Sequence, residues 1–146
     1  LSLHDALPIL NEWQQFDFPV AATFRHFCIE TLSSYTDDNQ ACISEVELLD
    51  DKGQVIDKTK WKVVYVDSEL ADQNLGVGEN LYDGDVSSFW HTAPTAKASH
   101  PHQIIIDMQE IYKVTAFRVK VREGSFLSGK VKEFQLYTRP QFFLFH

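Results

Sequence analysis

The sequence predicts an all-β fold, an antiparallel sandwich or barrel of seven or eight short strands. Apolar residues recur with a period of two, and no apolar stripe of helical period runs for ten residues or more. Aromatic side chains make up 13% of the chain, an excess that pleated sheets accommodate better than helical bundles do. Gly and Asp turn signals fall between the apolar runs, as hairpins require. At 146 residues, 44% hydrophobic and 23% charged, the chain has the length and composition of one soluble globular domain.

The elements follow in order. Residues 16–20 and 24–32 read as two strands separated by Pro19 and a small-residue turn. Along 42–49, Cys42, Val46 and Leu48 share one face and Glu45 and Glu47 the other, the pattern of a half-buried strand. Asp50-Asp-Lys-Gly53 then offers hairpin chemistry, its glycine free to take a positive φ before 54–56. Residues 61–66 form a strand. Residues 67–103 are a long polar, Gly-bearing connection, a kind of segment that usually carries function or a metal in a compact domain. The nearly continuous apolar run at 104–108 is a buried strand. Alternation is sharpest at 115–122, with Thr115, Phe117, Val119 and Val121 on one face and Arg118, Lys120 and Arg122 on a wet one. A loop at 123–129 precedes a last strand at 131–137, with Phe134 and Leu136 inward.

Charge and spacing exclude several functions. The formal net charge is −8, and the first 50 residues hold Arg25 as their one basic residue, so no basic cluster awaits nucleic acid or an anionic lipid surface. No run approaches the ~20 apolar residues of a membrane span. Residues 1–12 begin with Leu and carry no Lys or Arg, a poor signal peptide, and are read as a tail outside the fold. Residues 13–140 are read as one sandwich, and 141–146, apolar without turn chemistry, as a truncated tail. Cys28 and Cys42 read as buried thiols rather than a bridge. Gly76-Val-Gly78 lacks a dinucleotide or phosphate loop around it, no nucleophile elbow occurs, and no carboxylate spacing singles out an acid/base pair. No catalysis is expected. His100-Pro-His102 offers two imidazoles to zinc, with no third ligand nearby in sequence.

The informative segment is Glu79-Asn-Leu-Tyr-Asp-Gly-Asp-Val-Ser-Ser-Phe-Trp-His-Thr92. A tight turn here sets Asp83, Asp85 and the Ser88 hydroxyl on one side with freed carbonyls, hard oxygens suited to Ca²⁺; the plainer alternative is an Asp-Gly turn capped by its own side chains. Phe89 and Trp90 return to the core as packing. Alternation points His91 outward, as an exposed histidine or a ligand contact.

Trp61-Lys-Val-Val-Tyr-Val-Asp-Ser-Glu69, the Glu79 to Asp85 turn, Ser88-Phe-Trp-His-Thr92, Pro101-His-Gln-Ile-Ile-Ile-Asp-Met108, residues 117–122 and Gly129-Lys-Val-Lys-Glu-Phe-Gln-Leu-Tyr137 follow in order. Together they resemble the opening part of discoidin, or coagulation factor 5/8 type C, domains, especially the bacterial forms classed as carbohydrate-binding module family 32. Residues 16–49 resemble the closing strands of the same domain. The resemblance implies a galactose-binding-like jelly-roll sandwich, either permuted within one domain or straddling two tandem modules; the single sandwich is expected, because neither half alone covers its apolar faces. It implies a calcium ion on Asp83, Asp85, Ser88 and Glu45. It also implies a sugar held by His91 and Arg122 and, in a looser alignment, Gln73, with the family's aromatic after His-Thr missing near Pro94. The implied function is a non-catalytic module of a secreted or cell-surface bacterial protein, such as a glycoside hydrolase with further modules. Its partner would be a terminal galactose or N-acetylgalactosamine. A structural or protein-interaction sandwich without sugar binding is the alternative.

Overall fold

The alternating segments become strands β1 (Ser2–Ala6), β2 (Gln14–Ser34), β3 (Cys42–Ile43), β4 (Glu45–Asp50), β5 (Lys62–Val66), β6 (Trp90–His91), β7 (His102–Lys120) and β8 (Val131–Arg139). They are seen in a computed structural model that describes residues 1–8, 12–36, 38–95, 98–123 and 129–139. Two short 3-10 turns, Asp72–Asn74 and Gly78–Tyr82, interrupt the long connection, and no α-helix occurs among the described residues. One antiparallel sheet runs β1-β8-β2-β7-β4, with β5 also on β7, while β3 and β6 form a separate pair.

Two strand boundaries differ from the sequence expectation. Residues 16–20 and 24–32 belong to the single strand β2, and 104–108 and 115–120 to the single strand β7, which ends two residues before the expected boundary at 122. The β2–β7 register shifts between Asp17 and Ala22 and again between Phe24 and His26. Bulges of this kind absorb extra residues and bend a strand without removing it from the sheet, and Pro19, which has no N–H to give, falls in the unpaired stretch. On β7, Gln109 takes a φ of 70° at the corresponding bend.

The bends close the sheet on itself. Phe16 pairs with Phe117, and Phe134 pairs with Thr31. About fifteen residues of β2 separate Phe16 from Thr31, which a straight strand would spread over roughly 50 Å. Yet the Phe16 and Phe134 rings lie 5.3 Å apart, and Phe117 and Phe134 5.6 Å. The two ends of the long strands therefore face one another as the layers of a β-sandwich. Phe24, Phe27, Leu48, Trp90, Ile104 and Leu136 fill the space between, each fully buried, and each contributing roughly 1.5–3 kcal/mol through the water it leaves.

Residues 1–12 do not all lie outside the fold. Ser2–Ala6 pairs with β8 from Ser2↔Tyr137 to Ala6↔Glu133, and Leu7 is fully buried with its N–H on the Lys132 carbonyl at 2.7 Å. The outer edge of β8 would otherwise present a row of unpaired groups. Residues 9–11 and 140–146 are outside the described residues, as are 124–128 of the expected loop. The Asp50 turn forms as its chemistry requires: Gly53 has φ 75°, and Asp50 Oδ1 accepts from the Lys52 and Gln54 N–H groups at 2.9 Å each. Beyond it, 54–56 make only a Leu49↔Val55 bridge and no strand. Cys28 and Cys42 are free and buried, and burial pushes both thiols up to about 12.

Candidate functional site

Strand β6 seats His91. Its two residues pair with β3 as Ile43↔Trp90 and Cys42↔His91, and the buried Trp90 donates its indole N–H to the Ser68 carbonyl at 3.0 Å. The His91 backbone then clamps a loop: its N–H donates to Gly76 O at 3.0 Å, and its carbonyl accepts from Leu70 N at 2.7 Å. Gly76 has to be glycine, because a Cβ there would stand 2.9 Å from His91 Cβ. Gln73 sits exposed at the tip of this loop with φ 52°. A cleft of about 480 Å³ opens alongside, lined by Glu69, Ala71, Asn74, Val77, Glu79 and Asn80.

Arg122, just past β7, lays its guanidinium over the Phe89 ring at 4.2 Å from the centroid. The His91 ring meets the same Phe89 edge-on at 6.2 Å and 65°. Two residues far apart in sequence thus share one aromatic ring. Phe89 is 8% exposed and packs in the core as the sequence predicts; its spacing of two from His91 puts both on one face of an extended segment. His91 does not point outward as alternation suggested. It is 8% exposed, because the clamped loop covers it, and its Nδ1 lies 2.6 Å from the Thr92 carbonyl. An accepting carbonyl there places the neutral ring's proton on Nδ1 and leaves Nε2 as an acceptor.

The Asp83–Ser88 turn, where calcium is expected from the sequence, is built beside this arrangement. Gly84 takes φ 78°, and Asp85 N–H donates to Asp83 Oδ1 at 2.9 Å. The Ser88 hydroxyl lies 2.5 Å from Asp83 Oδ2 and 2.9 Å from the Asp85 carbonyl. Ser87 donates both its N–H, at 2.9 Å, and its hydroxyl, at 2.6 Å, to Asp85 Oδ1. The Asp85 carbonyl also faces the Ser88 hydroxyl within the turn. Glu45 arrives from the start of β4, where Ser44 Oγ donates to the Val86 carbonyl at 2.6 Å and ties strand to turn. It does not lie on a wet face: it is 1% exposed. Its Oε2 accepts from Gly84 N–H at 3.1 Å and pairs with Lys58 Nζ, while its Oε1 is buried with no partner. Burial pushes the Glu45 carboxyl up to about 7 against the pull of Lys58.

The orphaned Glu45 Oε1, Asp83 Oδ2, the Ser88 hydroxyl and the Asp85 carbonyl are all hard oxygens, and this mixed set suits calcium. No three His, Cys, Asp or Glu side chains gather for a metal among the described residues, so the set depends on its hydroxyl and carbonyl. His102 is not open to zinc, because its ring nitrogens face Asp67 Oδ2 at 2.9 Å and the Asn39 carbonyl at 2.6 Å.

A family model described as "F5/8 type C domain" matches residues 64–141, more than half of the chain. The chain belongs to the F5/8 type C domain family. Such domains are typically non-catalytic binding modules and commonly bind carbohydrate. This F5/8 type C domain is also similar to a sialidase from Micromonospora viridifaciens, with 27% identity over 86 residues that cover 58% of the chain. The chain spans about 13% of the length of that curated relative. Asp83, Asp85, Ser88, His91 and Arg122 all lie within the family-matched residues of the F5/8 type C domain, whereas Glu45 and Lys58 lie before them.

Proposed function

We propose that this F5/8 type C domain is a non-catalytic carbohydrate-binding module that holds a terminal galactose or N-acetylgalactosamine between Arg122 and His91. The observation that carries the reading is their meeting on Phe89. A pyranose presents hydroxyls that need directional partners. The Arg122 fork donates and His91 Nε2 accepts, while the buried Phe89 ring holds the two side chains beside one another. Gln73, at the tip of the loop clamped by His91, closes the rim.

Calcium, in this reading, is held by Asp83, Ser88, Glu45 and the Asp85 carbonyl and supplies positive charge that braces the turn. The similarity to a sialidase supports placing the domain in a larger bacterial protein with further modules, secreted or on the cell surface. Among the described residues no helix is long and apolar enough to cross a membrane.

Titrating galactose and N-acetylgalactosamine into the wild type and Arg122→Ala tests the reading. Removing the guanidinium leaves a sugar oxygen unpaired, at a cost of roughly 1.5–3 kcal/mol, or about tenfold or more in affinity. Equal affinities, or no binding by either protein, would favour a structural or protein-interaction sandwich, the alternative that the burial of His91 supports.

A further inference from the structure

Lys58 reaches the calcium turn from the segment between the Asp50 hairpin and β5, outside the family-matched residues. Its Nζ pairs with Glu45 Oε2, donates to the Val46 carbonyl at 3.0 Å and stands 3.9 Å from Glu47 Oε2. The side chain is only 14% exposed, so this is an ammonium carried into the site rather than a surface lysine resting nearby. Glu47 already has Arg118 at 2.8 Å. Glu45 is the carboxylate that needs Lys58, and Glu45 also carries the one orphaned oxygen of the calcium donor set. A cation belonging to the chain and a cation from solution thus have claims on the same carboxylate.

We propose that Lys58 is a built-in rival to calcium that sets the metal affinity of this turn, an inference that rests on the calcium reading above. Without metal, the ammonium neutralises Glu45 and lets the turn fold on its own. When calcium enters, the two cations repel at close range, and the ammonium yields Glu45. It has somewhere to go: a cleft of about 300 Å³ lined by Lys58, Asp57, Thr59, Tyr82 and Asp83 opens beside it. A unit positive charge a few ångströms from a divalent ion weakens its binding by roughly tenfold or more, even at the dielectric of water.

Thermal unfolding of the wild type and Lys58→Gln, in chelator and across a calcium series at fixed ionic strength, tests this. In chelator Lys58→Gln should melt below the wild type, because Glu45 has lost its partner. The calcium concentration that gives half of the stabilisation should fall by roughly tenfold or more. Calcium stabilisation of both proteins with the same midpoint overturns the role of Lys58 and leaves the calcium reading standing. Indifference of both proteins to calcium overturns the calcium reading itself. Should Lys58→Gln not fold, the ¹⁵N resonance of the Lys58 ammonium in the wild type decides: it should move with calcium, with the midpoint of the thermal shift, and a resonance that stays put while calcium stabilises the protein overturns the proposal.

Discussion

His100, beside His102, carries a pH response at the scale of single residues. Their rings lie 5.0 Å apart, His100 Nδ1 is 3.1 Å from Thr31 Oγ1, and His100 Nε2 is buried without a partner. Burial, and then the nearby His102, hold the His100 pKa below its ordinary 6.5. The unfolded chain therefore binds the extra proton first, so stability rises with pH in this window: the contribution is full above pH 6.5 and is lost as pH falls toward the folded value. The melting temperature should drop on acidification from pH 7 to 5 more steeply in the wild type than in His100→Gln, and parallel profiles would contradict the assignment. Glu45 marks the limit of what a strand pattern reveals at this scale. Its alternation with Glu47 gives the face correctly, but burial of that face depends on the 78–88 turn folding over it, which local spacing does not encode. Asp85 is similar: the sequence names the residue, while the Ser87 hydrogen bonds that fix its Oδ1 are seen only in the folded turn.

Among the elements, the clamp on the 70–76 loop is the part most sensitive to a small change. Adding one methyl at Gly76 would push against His91 Cβ at 2.9 Å and His91 N at 3.1 Å, and neither can move without breaking the β3–β6 pairing. Gly76→Ala should therefore destabilise the fold by roughly 1–3 kcal/mol, the usual range for overpacking, read from the urea midpoint. It should also weaken sugar binding through the displaced His91. An unchanged midpoint would show that the loop yields freely. Turn chemistry was readable at Asp50-Asp-Lys-Gly53 because the signal is local. The long strands were not, because Pro19 and the small residues around it look like a turn unless the partner strand is known. Paired with β7, they form a bulge.

For the whole molecule, the first part of the chain completes a sheet that the family-matched part cannot close alone: β2 lies between β7 and β8, and β4 covers the far edge of β7. The class of fold was legible because period-two patterning holds in nearly every segment. The order of strands was not legible, since pairing partners many residues apart leave no local trace; family resemblance suggested only that residues 16–49 pack in the same sandwich as the later strands. The same topology brings Arg122, at the end of β7, together with His91 and Phe89 at the β3–β6 pair, so the central claim is about place. The most direct measurement of place is the ¹H–¹⁵N spectrum of the whole chain titrated with galactose. Binding as proposed should shift the amides of residues 70–76, Phe89, His91 and Arg122 together, along one saturating curve. Shifts centred on another face, or none at millimolar galactose, would contradict it.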